Sequence, residues 1–375
     1  MAKANYGVNV TINAEAARPI AVESLTPIGI AGYQEGLEKG LHFYINVSAA
    51  MDALKELGSG SIKNAVKGIY DQGVETPIII SVFEKTGEDS VVITNAQNAV
   101  ENFKFAKSEF SYAPNIIIAP ELSGEDAVKG ALESTAEKLK ATAIIDLKAD
   151  DVAGAVAKMN DFGSRRLLAA YPNVKVYSAE KNDYIYEGQS ARIAGMIART
   201  DGEWEYGFSD SYSNRVMKGV FATQVQVDFE IGEGACAADM LRSANISTVI
   251  NHDGYRTWGG ETSDQDSIWQ DLARVRVFDR ISQACQKGVL FAVDKRADQL
   301  YHAKRSVEEL LRALVGSQVL LGFDLSWSAK NTSANITAGK FYLDIRMQNN
   351  PIIKQLTLDF IYVDKYGDVL LEKIK

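Results

Sequence analysis

The sequence contains few of the residues on which enzymes and metalloproteins depend. Its 375 residues include only two cysteines and three histidines. Cys236 and Cys285 are too few and too far apart for a metal cluster or a disulfide framework, so we expect two reduced thiols in or near the core. The sequence has no Gly-x-Ser-x-Gly, no His-x-x-x-His, no Cys-x-x-Cys and no Gly-Lys-Ser/Thr loop. These absences argue against a triad hydrolase, a zinc site and a phosphate-binding loop.

The sequence also lacks a long apolar run and an excess of positive charge. No segment approaches the roughly 20 apolar residues that a membrane helix needs. The first residues have no signal-peptide core, so we expect the chain to stay in the cytosol where it is made. The net charge of −9 argues against non-specific binding to nucleic acid, which needs a basic face.

The remaining candidates for chemistry are weak. His252 and Asp253 are neighbours in sequence, which does not make them a base and its orienting acid. Glu261, Asp264 and Asp266 suggest a cation site, but a solvated acidic loop is the better interpretation. We therefore expect no catalytic residue, no cofactor and no metal.

Short apolar segments alternate with helical patterns through the middle of the chain. This rhythm predicts parallel strands joined by right-handed helical crossovers, and hence an α/β sandwich. Residues 84–112 are more polar and lack a clear period, so we interpret them as a surface insert. The predicted strands are 76–83, 115–120, 143–147, 166–171 and 174–177, and the predicted helices are 48–57, 61–72, 123–140, 150–162 and 191–200.

The last third of the chain begins with two amphipathic helices. Apolar residues recur at helical spacing over 267–287 and 298–315. In the second helix, Arg305 and Arg312 stand opposite the apolar stripe, and Lys304 adds to a locally basic stretch in an acidic protein. Before these helices, Tyr255 and Trp258 flank Arg256, which predicts an aromatic–cation cluster at a loop.

Both ends of the chain alternate apolar and polar residues, as strands do. Near the start, Val8, Val10 and Ile12 share one face of a predicted strand over 6–13. Near the end, predicted strands cover 340–346 and 354–363, and the second places three side chains on one face: Leu358, Phe360 and Tyr362.

Several spaced segments resemble contractile phage tail sheath proteins and the sheath subunits of R-type pyocins. Each motif is weak, but the set keeps the family's order and spans nearly the whole chain. Gly260 and Glu261 depart from the family pattern, which often has a polar residue and an arginine there, so a specific ion pair at this loop is in doubt. The matching segments are Gly7-Val-Asn-Val with Ala17-Arg-Pro-Ile20, Thr26-Pro-Ile-Gly-Ile-Ala-Gly32, Asn251-His-Asp-Gly-Tyr-Arg-Thr-Trp-Gly-Gly-Glu-Thr262, Phe291-Ala-Val-Asp294 and Ala338-Gly-Lys-Phe-Tyr-Leu-Asp-Ile345.

The resemblance implies a fold and a division of the chain. The fold is a central α/β sandwich, subtilisin-like without a triad, plus an α+β C-terminal sheath domain with extended N- and C-terminal β arms. The division is an N-terminal arm (1–22), a body (23–250) with a variable insert near 84–112, a sheath core domain (251–357) and a C-terminal arm (358–375).

The resemblance also implies a function without catalysis. The subunit polymerises around a tail tube and contracts to drive the tube through a cell envelope. Its partners are further copies of itself in stacked rings of six, the tail tube protein, and baseplate and tail terminator proteins, with no nucleic acid and no membrane. Its location is the virion tail, and the host cytoplasm during assembly.

Each implied role has an alternative that the sequence leaves open. The terminal strands either add to neighbouring subunits or fold onto their own domain. The helix with Lys304, Arg305 and Arg312 either grips the tube or presents an ordinary solvated face. At the level of function, the competing classes are an α/β hydrolase-like or nucleotide-binding enzyme and a small-molecule binding module. The sequence does not distinguish an infectious phage from a tailocin.

Overall fold

The computed structural model describes residues 18–232 and 236–374. The strands are β1 (Ile28–Gly32), β2 (Gly40–Tyr44), β3 (Ile78–Val82), β4 (Ile116–Ile118), β5 (Thr142–Asp146), β6 (Leu167–Ala170), β7 (Val174–Ser178), β8 (Asp183–Glu187), β9 (Ala222–Thr223), β10 (Ile246–Asn251), β11 (Tyr255–Trp258), β12 (Leu320–Trp327) and β13 (Leu343–Asn349). The α-helices are α1 (Val47–Leu54), α2 (Ser61–Tyr70), α3 (Asp89–Asn102), α4 (Ala106–Phe110), α5 (Asp126–Leu139), α6 (Val152–Lys158), α7 (Ser190–Asp201), α8 (Ala237–Ser243), α9 (Leu272–Val289), α10 (Gln299–Gly316), α11 (Ser333–Thr337) and α12 (Gly367–Lys373).

An eight-stranded mixed sheet forms the centre of the body, in the order β11-β10-β6-β5-β4-β1-β3-β2. Its inner strands are parallel, and the two edge strands β2 and β11 are antiparallel to their neighbours. Strands β1, β3, β4, β5 and β6 are buried along their whole length. Burial on both faces explains their continuous apolar sequences.

Helices cover both faces of this sheet. Along β1, Ile30 packs into one layer and Ala31 into the other, as strand alternation requires. The first layer contains α1, α2 and α7, and the second contains α3, α5, α6 and α8. The predicted α/β sandwich is therefore confirmed as a mixed α/β fold.

Residues 84–112 are not the surface insert that the sequence suggests. Their main element, α3, lies against α5 and the sheet, and its buried side chains are Val92, Ala96, Ala99 and Val100. Two of these four are alanines, and the flanking residues are Thr, Asn and Gln, so the apolar stripe has low contrast. The helical spacing of buried residues is present, but half of these residues are small alanines.

Strand β7 is also placed differently from the prediction. It pairs with β8 and β9 in a separate three-stranded sheet rather than extending the main one. One face of this sheet packs Val174 and Val176 into the body, and the other presents Tyr177, Tyr184 and Tyr186 to solvent.

The C-terminal elements enclose a smaller core of their own. Helices α9 and α10 pack together and against β12, as their apolar stripes predict. Ile268 is the exception, because the helix begins at Leu272 and leaves Ile268 exposed before it. The shared core contains Phe208, Val277, Ile281, Val307, Leu310, Leu311, Leu314, Val319 and Leu320.

The predicted strand over 354–363 does not form within the subunit. Residues 350–364 have no regular secondary structure, and α12 lies near the end of the expected β arm (358–375). The alternation is real, but a strand exists only when its backbone groups have a partner. Within residues 18–232 and 236–374, no helix has the length and apolar character needed to cross a membrane.

Candidate assembly interface

The C-terminal segment exposes an unusual amount of apolar surface. Leu358 is 67% exposed, Phe360 93% and Tyr362 90%. Such contiguous exposure in a folded protein marks a surface that another element covers. The N-terminal counterparts Val8, Val10 and Ile12 lie outside the described residues.

The two-stranded sheet β12–β13 offers backbone edges to such an element. Its strands are antiparallel from Leu320↔Asn349 to Trp327↔Leu343. In the described part of the chain they pair only with each other, so each strand has one edge without a partner strand. One face packs Phe323, Leu325 and Met347 onto the C-terminal core, which holds the sheet in place.

Helix α10 places its basic residues away from that core, but it also neutralises two of them. Arg312 Nη2 lies 2.6 Å from Glu308 Oε1, and Arg305 Nε lies 3.3 Å from Glu309 Oε1. Lys304 Nζ is 5.7 Å from the centre of the Trp327 ring on β12. The locally basic sequence therefore becomes a surface of alternating charge, which suits weak and specific contacts better than bulk attraction to an acidic partner.

The core loop residues lie on β11, at one edge of the main sheet. Arg256 donates to the backbone oxygens of His252 (2.8 Å) and Asn214 (3.1 Å) and so ties two turns together. The cation over the Trp258 ring is Arg242, at 4.7 Å. The described contacts therefore place Arg242 on Trp258, while Arg256 Nε and Nη1 bind carbonyl groups.

An ion pair does form at this loop, where the sequence left one in doubt, and Glu261 provides its carboxylate. Its carboxylate is almost buried, with Arg242 Nη2 at 3.4 Å and Lys354 Nζ at 3.0 Å, and it accepts the Gly260 N–H at 2.7 Å. Burial opposes ionisation, but Arg242, Gly260 and Lys354 outweigh it and hold the pKa of Glu261 below its usual value. Sequence reasoning missed this pair, because Lys354 is far away along the chain.

A buried charge cluster joins the body to α9. Asp201, at the end of α7, accepts two donors of Arg276 and the hydroxyl of Thr26. Arg280 lies 3.6 Å from the same carboxylate and donates to Thr26 at 2.8 Å. Burial, with the nearby charge of Arg276, lowers the pKa of Arg280 to about 10.

The residues considered for chemistry have structural partners instead. His252 follows β10 on an exposed turn, where its ring packs edge-on to Phe229. Asp264 and Asp266 accept backbone N–H groups of the same loop at 2.8 and 2.9 Å. Within the described residues, no group of three His, Cys, Asp or Glu side chains has the geometry to hold a metal ion. Cys236 and Cys285 are both free thiols.

Solvent-facing strand edges and an unpaired apolar segment are features of a protein that assembles with further subunits. Comparisons with known proteins agree with this class. A prophage major tail sheath protein of Pseudomonas aeruginosa is 32% identical over 363 residues, covering 92% of this chain and 93% of the relative. The tail sheath protein of Escherichia phage P2 is 23% identical over 98% of this chain and 97% of its own. No protein-family model matches.

A solved structure supports the fold. The helical sheath of the anti-feeding prophage in its contracted state superposes with a TM-score of 0.70 and 20% identity, covering 96% of this chain and 99% of that one. The chain belongs to the tail sheath protein family. It is a structural subunit of a contractile tail sheath, and its relatives do not favour the enzyme alternative.

Proposed function

We propose that the subunit joins its neighbours in the sheath through its two terminal arms, residues 1–22 and 358–375. The observation that carries this proposal is the exposed apolar face of Leu358, Phe360 and Tyr362. Burying three such side chains against a neighbour contributes about 1.5–3 kcal/mol each. That gain favours pairing over leaving the segment in water.

The β12–β13 sheet is the receiving surface. An added strand would satisfy the free edge of β12 or β13 through main-chain hydrogen bonds, while alternate side chains determine specificity. An isolated two-stranded sheet is marginal in water, so added strands also stabilise the receiver. The arm and the receiver thus complete each other only between subunits.

We propose the remaining partners from the resemblance to tail sheath proteins. Copies stack in rings of six, with the C-terminal sheath domain (251–357) turned toward the tail tube protein and α10 presenting Lys304, Arg305 and Arg312 to it. Baseplate and tail terminator proteins bound the polymer at its ends. The subunit assembles in the host cytoplasm and functions in the virion tail, with a body that is subtilisin-like but lacks a triad.

In this proposal, contraction needs no bound nucleotide. We attribute the energy to a metastable extended polymer that relaxes to a shorter, wider one, with subunits moving mainly as rigid bodies while the arm linkers bend. The buried cluster of Asp201, Arg276 and Arg280 supports rigid-body motion, because it fixes α9 to the body.

Replacing one face of the C-terminal arm tests the proposal. Leu358→Ser, Phe360→Ser and Tyr362→Ser together remove the apolar face, and we expect a folded monomer that forms no tubes in negative-stain micrographs. Deleting residues 1–12 should have the same effect. The matched control changes the opposite side of the arm, Asp359→Ser with Lys365→Ser, and should form normal tubes. Normal tubes from both the triple variant and the deletion would refute the arm assignment.

A further inference from the structure

The C-terminal segment is held to its own subunit at one charged point near its root. Among the described residues 351–364, Lys354 makes the one ion pair, with Glu261 at 3.0 Å. Within residues 18–232 and 236–374, no backbone hydrogen bond ties this segment down; the last one before it joins Asn350 N to Val319 O at 2.9 Å. The segment is therefore free beyond Lys354 but constrained at Lys354.

Glu261 is a fixed point, unlike most carboxylates that pair with a surface lysine. Its side chain is 9% exposed, and Arg242 and the Gly260 N–H hold it in place. Arg242 in turn stacks on Trp258. A backbone bridge between Glu261 and Asp271 adds a further restraint, just before α9 begins. The carboxylate therefore keeps its position when Lys354 leaves it.

We propose that Glu261 is a positioning residue for assembly, which sets the direction in which the C-terminal arm leaves the subunit by holding Lys354. The contact lies four residues before Leu358, the first apolar contact of the arm. This inference rests on the proposed function of the arm. It gives Glu261 and Lys354 a role in sheath formation beyond the small contribution of their ion pair to the stability of the fold.

The physical reason is the volume that an untethered arm explores. Lys354 lies five positions after Asn349, the end of β13, and a flexible segment of that length spans about 12 Å in random directions. Holding Lys354 restricts the start of the arm to one direction and raises its effective concentration at the neighbour. Since one partner is exposed, the contact is worth a factor of about two to five in assembly rate.

Lys354 is the residue to change, because it is half exposed and lies outside both cores. Lys354→Met keeps the length of the side chain and removes its charge, whereas Lys354→Arg keeps the charge. Lys365→Met removes a lysine further along the segment and serves as the matched control. All three should remain folded and unfold cooperatively in urea, and Lys354→Met should show at most the small loss of stability that removing a half-exposed ion pair causes.

Two measurements test the role. In a chain with Cys236→Ala and Cys285→Ala, spin labels at Ser267→Cys and Asp359→Cys report the distance from the body to the arm in the monomer. We expect one narrow distribution for the parent, Lys354→Arg and Lys365→Met, and a broad one for Lys354→Met. Light scattering should show tube formation slowed about two- to five-fold for Lys354→Met alone.

Failure of the role proposed for Glu261 and failure of the proposed arm function give different experimental results. If Lys354→Met matches the parent in both distance distribution and assembly rate, Glu261 does not position the arm, while the arm itself stands as long as the Leu358, Phe360 and Tyr362 triple variant forms no tubes. If that triple variant assembles, the arm proposal fails first. Slow assembly by Lys354→Arg as well would show that shape rather than charge matters, which would also overturn the inference.

Discussion

At the scale of single residues, the carboxylate of Asp201 balances two buried guanidinium groups at the junction of the body and α9. It faces two guanidinium groups, with Arg276 in direct contact and Arg280 at 3.6 Å. Removing it would leave two buried cations whose desolvation is no longer offset. Burial and the nearby charge of Arg276 already lower the pKa of Arg280 even though Asp201 acts to raise it.

Asp201→Ala should therefore cost about 3–5 kcal/mol of unfolding free energy, the range for breaking a buried ion pair from one side. Urea denaturation followed by circular dichroism measures the change. Asp150→Ala, at an exposed position, is the control and should stay within about 0.5 kcal/mol of the parent. A loss at Asp201 no larger than the control would mean that solvent reaches the cluster.

These residue-scale partnerships were the least predictable part of the sequence. Asp201 and Arg276 are separated by 75 positions, and Glu261 and Lys354 also lie in different parts of the chain. Spacing along the sequence indicates which residues share a helix face, but not which faces meet. Arg256 shows the same limit, because its sequence neighbours suggested an aromatic partner while its donors bind carbonyl groups.

At the scale of elements, α7 illustrates how small residues allow helices to approach closely. The helix is buried along nearly its whole length and packs against α2. A Cβ at Gly195 would lie 3.0 Å from Ile69 Cα and 3.1 Å from Ile69 O. Both contacts are with backbone, which cannot rotate away.

Gly195→Ala should destabilise the protein by about 1–3 kcal/mol, as overpacking does. The matched control is Gly130→Ala on α5, where a Cβ meets nothing within 4 Å. That change should stabilise the protein by about 0.5–1 kcal/mol, because alanine is the better helix former. Thermal unfolding of the two variants gives the comparison. Equal shifts of the same sign would contradict the close approach of α2 and α7.

Elements were predictable where their burial pattern is unambiguous. The inner strands β3, β4, β5 and β6 lie within apolar runs that predicted them, because both faces are covered. Helix α3 was missed because small side chains form its buried stripe. The alternation over 354–363 predicted a strand, but the described part of the subunit supplies no partner for it. A sequence pattern indicates which secondary structure a segment is able to form. For a strand, the presence of a pairing partner then determines whether that structure forms.

At the scale of the whole molecule, the net charge opposes the association of subunits, whereas arm pairing favours it. Each subunit carries a net charge of −9, so copies repel one another as they approach. The proposed arm contacts are main-chain hydrogen bonds and apolar side chains, which salt hardly weakens. Glu261 is almost buried, so its pair with Lys354 is screened less than a surface pair.

Tube formation by the purified subunit should therefore become faster as sodium chloride rises from about 0.02 to 0.2 M, because the screening length falls to roughly 8–10 Å near 0.1–0.15 M and repulsion between subunits fades. Light scattering follows the rate, and negative-stain micrographs confirm that the product is tubular. Sucrose at equal osmolarity is the control and should not reproduce the effect. Slower assembly in salt would mean that attraction between surface charges, rather than the addition of strands, drives the association of subunits. Arm pairing would then contribute less to the assembly rate than surface charge does.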